Sequence, residues 1–124
     1  MNNPKIEILL QKLKNGESVI NVEGGNSMSP KIKHREPVVL AAVHESDSLE
    51  KGDVVFFRSR GSYKTHMIWS IKREGNHNRF LITNIKGKHG VWVSGENIFG
   101  KVIAIGKQAC SEFQEKNDKE EGKT

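Results

Sequence analysis

The sequence predicts a mainly β protein: a coiled or barrel-like antiparallel sheet with one short helix at its start. Three observations carry that expectation. Only residues 4–15 place apolar side chains at helical spacing. From Gly16 onward the apolar residues fall into short runs rich in β-branched and aromatic types, set apart by Gly, Asn, Asp and charged turns. The intervals between runs are short and carry no second helical pattern, so neighbouring strands are expected to pair antiparallel.

Taken in order, Ile6, Leu9, Leu10 and Leu13 stand at i, i+3, i+4 and i+7, which makes one face of a helix ending near Asn15-Gly16. That stripe reads as a face docked on the core. It is too short for a helix-turn-helix, so no DNA-reading domain is expected before the first strand. The strand runs are "SVINVE", "PVVLAAV", "DVVFFR", "YKTHMIWSI", "RFLITNI", "GVWV" and "NIFGKVIAI". With the helix they make a single domain over residues 1–106. The remainder, 107–124, "KQACSEFQEKNDKEEGKT", is charged and nearly free of large apolar residues, and is expected to be a disordered tail.

The totals bound the function. A chain of 124 residues, 35% hydrophobic, suits one domain with a modest core. Cys110 is the single cysteine, so no internal disulfide forms, which suits a reducing compartment. No apolar run approaches the ~18 residues that span a bilayer. "MNNPKIEILLQKLKNG" lacks a secretory signal's apolar centre. A soluble, cytoplasmic protein is the expectation. Charge is uneven: residues 54–106 hold 9 Lys/Arg against 2 Asp/Glu, a net of +7, whereas each flank nets −1. Such a stretch can draw nucleic acid, with Tyr63, Trp69 and Phe80 among its charges for stacking. A solvated surface with packed aromatics is the commoner meaning, so nucleic acid is not the favoured partner.

The segment "GGNSMSP", residues 24–30, puts Ser27 between free and restricted backbone. Gly24-Gly25 permits a sharp turn, and Pro30 restricts the chain just beyond. A serine hydroxyl becomes a nucleophile only beside a base, and acyl transfer also needs donors for the oxyanion. Alone, these seven residues fit an ordinary loop as well. The order that follows changes the balance: "PVVLAAV" (37–43), "LEKGDVVFF" (49–57), a turn at Gly61, then "YKTHMIWSI" (63–71).

This order resembles the type I signal peptidase and LexA-repressor superfamily of serine peptidases, with a G-x-S-M-x-P-like box, a "GDVV" strand and a later base-bearing strand. "THMI" is similar to the histidine box of archaeal and endoplasmic-reticulum signal peptidases. The segment 81–105 resembles the closing part of small bacterial and phage members through Gly87, Gly90, Trp92 and Gly100. Two features depart from the pattern. The acidic "GDNN" box is absent, with Lys86-Gly87-Lys88 in its place, and "KHREPVV" replaces a glycine-aspartate turn. The resemblance implies a catalytic Ser27, with Gly25, Asn26 and Met28 around the oxyanion and substrate. Ser27's own N–H would be the first oxyanion donor. Gly25 has no side chain, so only a backbone group could serve there as the second.

Two bases lie on one strand. Lys64 and His66 are two positions apart and share a face. An imidazole is largely neutral at pH 7, whereas an ammonium must shift by several units to accept a proton. His66 is therefore the expected base and Lys64 the alternative. His34, His44, His77 and His89 show no ligand-like spacing, so neither a metal nor a cofactor is expected.

Three functions follow. The first is a soluble serine endopeptidase whose peptide or protein substrate binds as an added strand. The second is a self-cleaving switch, which would need a cleavable Ala-Gly or Cys-Gly before the nucleophile; residues 1–26 contain neither. The third is an inactive peptidase-fold module that binds protein or nucleic acid.

Overall fold

The computed structural model describes residues 4–121. Helix α1 spans Pro4–Lys14, and the strands are β1 (Val19–Asn21), β2 (Val38–Ala42), β3 (Val54–Ser59), β4 (Ser62–Glu74), β5 (His77–Thr83), β6 (Val91–Ser94) and β7 (Ile98–Ile105). Helix α2 follows over Lys107–Glu121, and single 3₁₀ turns sit at Ser46–Ser48 and Gly95–Asn97.

Helix α1 starts on Pro4, whose fixed φ suits a first helical position. It stops where Gly16 takes a φ of 83°. There the Glu17 N–H donates to the Lys12 carbonyl at 2.9 Å and the Gly16 N–H to the Leu13 carbonyl at 3.0 Å, the bond pair of a Schellman cap. Its face buries Leu9 and Leu13 against the sheet. Gly100 of β7 makes room for that docking: a Cβ there would stand 3.3 Å from the Leu13 side chain.

All seven strands pair antiparallel in the order β1-β2-β7-β3-β4-β5-β6. The mainly β prediction holds, but the sheet is open and not a closed barrel. Its end strands, three and four residues long, do not pair with each other. Irregularities at Val39/Leu40, Phe56/Phe57 and Ile68/Ser70 interrupt the ladders, and such bulges bend and twist a sheet locally.

Two cores lie on the two faces. One gathers Leu49, Val55, Phe57, Ile68, Phe80, Ile82, Val93 and Ile98; the other gathers Leu9, Leu13, Val19, Val38, Leu40 and Phe56. Strand β3 serves both, because successive side chains point to opposite faces. That is why "VVFF" is a continuous apolar run and not an alternation.

The predicted disordered tail is instead helix α2 as far as Glu121; residues 122–124 lie outside the described residues. Few apolar residues did not mean no helix. Gln, Glu, Lys and Ala are strong helix formers, and Gln108–Glu112 and Gln114–Asp118 bond at i,i+4 spacing. The Cys110 side chain is buried, and α2 packs against β2 and β7. Burial first, and Glu36 second, push the Cys110 thiol up, so it stays protonated and unreactive at neutral pH.

Candidate active site

Strand β1 delivers the chain into the glycine turn, and five contacts fix that turn. Gly25 adopts a φ of 103°, with open space where a Cβ would lie, so the glycine is required for conformation and not for room. Its N–H donates to Nδ1 of His34 at 2.8 Å. The Arg35 N–H donates to the Glu23 carbonyl at 3.0 Å, and the Ile32 N–H to the Met28 carbonyl at 3.0 Å. From across the molecule the Ile85 N–H donates to the Ser27 carbonyl at 3.0 Å. Met28 is only 4% exposed and pins the turn to the interior. Ser27 and Asn26 beside it are exposed.

Strand β4 brings the second group. The Ser27 hydroxyl lies 3.0 Å from Nε2 of His66, although the two residues are 39 positions apart. His66 sits opposite Val55 in the β3–β4 register, and its ring lies tilted at 47° to that of Phe57, with centroids 6.1 Å apart. Burial, then the charge of Lys64, then His89 lower its pKa below the ordinary 6.5. The imidazole is therefore neutral near pH 7, able to accept a proton from the hydroxyl. Lys64 is exposed on the same strand and acts on His66 through its charge. Among the described residues no carboxylate is paired with His66.

The oxyanion prediction needs one correction. The Gly25 N–H is committed to His34, so it is not a free second donor. Among the described residues no hydrogen bond uses the Ser27 N–H, and Asn26, next to it in the chain, is exposed. Met28 serves as an anchor and as wall to a recess of about 30 Å³ that also touches Ser27, Glu23, Ile32, Val38 and Thr65. His34 and Glu23 were missed in the sequence. The first lies in the "KHREPVV" stretch that departs from the resembled pattern, which is its only sequence signal. The second had none.

Glu23 accepts from the Thr65 hydroxyl at 3.0 Å and from the Asn21 amide at 3.3 Å, both at Oε1. Burial nevertheless raises its pKa above the ordinary 4.5, outweighing those bonds. A raised carboxyl pKa favours folding below about pH 4.5, and that contribution is lost as pH rises through the folded value. Glu23→Gln should therefore melt above wild type near pH 8. The difference should vanish by about pH 4, where both side chains are neutral. Thermal melts across that range check the sign.

Of the three aromatics in the basic stretch, two are packed, which is the commoner reading of such a stretch. Phe80 is wholly buried, and Tyr63 packs between Phe56 and Phe99, so neither is a stacking platform. Trp69 is half-exposed and lies over Gly87, where a Cβ would collide with its ring at 2.7 Å. Among the described residues no helix is long and apolar enough to cross a membrane, and no three His, Cys, Asp or Glu side chains group as metal ligands. No protein-family model matches this chain, and no curated protein does either.

Proposed function

We propose that this chain is a serine endopeptidase of the signal peptidase/LexA-like type, with Ser27 as nucleophile and His66 as general base. The observation that carries the reading is the 3.0 Å approach of the Ser27 hydroxyl to a neutral imidazole. It occurs beside a backbone N–H that no other group among the described residues occupies, and next to a small recess. In this reading Ser27 Oγ attacks the scissile carbonyl while His66 Nε2 takes its proton, and the Ser27 N–H faces the oxyanion. The imidazolium then returns the proton to the leaving amine. Water, deprotonated by the same ring, releases the acyl group and regenerates the hydroxyl. The recess of about 30 Å³ suits a small side chain, such as alanine or serine, before the cleaved bond. The lone unpaired Cys110 suits work in the cytoplasm.

A second reading, a module that binds without turnover, is favoured by one observation: no carboxylate orients His66 among the described residues. A serine-directed fluorophosphonate separates the two. It should label wild type stoichiometrically and leave Ser27→Ala unlabelled. An unlabelled wild type at high probe concentration would favour the binding module.

A further inference from the structure

We propose that a second site, at the tip of the β3–β4 hairpin, binds one nucleotide of a single-stranded nucleic acid. An open pocket of about 310 Å³ lies between that hairpin and strands β5 and β6. Arg58, Arg60 and Arg79 line it with Trp92, Ser94 and Asn97, and among the described residues no acidic side chain does. Neither Ser27 nor His66 contributes, so the site stands apart from the candidate dyad.

The register builds the floor. Arg79 pairs with Ser94 and Leu81 with Trp92, so Arg79, Ser94 and Trp92 share the face turned away from the buried Phe80 and Val93. Trp92 is 42% exposed there. The cations are weakly engaged. Arg79 meets Glu74 only at 3.7 Å in a pair largely open to solvent, and Arg58 stands 5.9 Å over the Tyr63 ring.

The turn itself gives the independent observation. Arg60 and Gly61 are the two central residues between the paired Ser59 and Ser62, with φ of 53° and 78°. A two-residue hairpin turn with both φ positive favours Asn-Gly, because a long side chain is strained in the left-handed region. Here an arginine occupies the asparagine position and reaches the pocket. Local stability is given up at a turn that sets a third arginine at the rim of the pocket.

The chemistry selects the ligand. Guanidinium forks match phosphate oxygens two at a time, and an exposed indole offers a base its π-face. A pocket of this size has room for a single nucleotide. An acidic peptide would use the arginines but not the indole.

The test uses full-length Ser27→Ala protein and a fluorescent ten-residue oligothymidylate, read by anisotropy. Binding should weaken at least tenfold in Arg58→Ala/Arg79→Ala and several-fold in Trp92→Ala. For the two phosphates that flank one nucleotide in a strand, log affinity should fall with log salt at a slope of about −1.4. Arg60→Asn installs the favoured turn residue, so it should melt no lower than wild type while losing affinity several-fold. The proposal is overturned by absent binding at low salt, or by affinity unchanged in Arg60→Asn and Trp92→Ala. Equal displacement of the oligonucleotide by polyglutamate would overturn it in favour of an acidic peptide.

Discussion

His66→Ala is expected to slow fluorophosphonate acylation of Ser27, and cleavage of any peptide substrate, by about 10²–10⁴. The hydroxyl would keep its place, because the turn that holds it is tied by His34, Ile85 and the buried Met28 and not by His66. What would be lost is the acceptor 3.0 Å from Oγ. The pH profile gives the same group a second signature. Burial, Lys64 and His89 lower its pKa, so the wild-type rate should rise with pH along a limb centred below 6.5 and be flat by neutrality. Lys64→Met removes one of the two named charges, so that limb should move toward higher pH while the plateau rate survives. Were Lys64 the proton acceptor, Lys64→Met would silence labelling and His66→Ala would not.

Much of this arrangement was readable in the chain, for reasons that differ between elements. The helix α1 stripe and the strand runs follow from burial periodicity, which a sequence carries directly. Placing Lys64 and His66 on one face needed only the two-residue repeat of a strand. Which of them meets Ser27 did not follow from that repeat. It depends on how far the glycine turn reaches along β4, and there the lower demand on an imidazole and the resemblance to a histidine box supplied the choice. Helix α2 was misread because its stability comes from propensity and i,i+4 pairs, with little apolar signal. His34 bonds a backbone amide nine positions away, and Glu23 meets Thr65 across 42, distances over which no local pattern speaks. Trp92 was read for its place in a motif. Its exposure is set by the register with Leu81, and register is a property of the pair.

Phe57→Ala should carry a large cost in stability and also reach the site. Phe57 is 1% exposed within the core that holds Val55, Ile68 and Phe80. Emptying such a position costs about 3–5 kcal/mol, since the transfer energy is lost and a cavity remains. For a domain of this size that is a drop in Tm of roughly 10–20 °C. Phe80→Ala should cost a similar amount, because Phe80 is fully buried in the same cluster. The two differ in what stands beside them. Phe57 lies beside the His66 ring, and with no carboxylate paired to the imidazole among the described residues, that contact is expected to help orient the ring together with the Ser27 hydroxyl. Measured well below both melting temperatures, Phe57→Ala should therefore slow acylation by about tenfold or more beyond Phe80→Ala, since small misplacements of a base are expensive. Phe57→Leu, which keeps more of the volume, should fold if the alanine variant does not and show a smaller loss of the same kind. Equal rates in folded Phe57 and Phe80 variants would mean that the aromatic neighbour fills space without aiming the base.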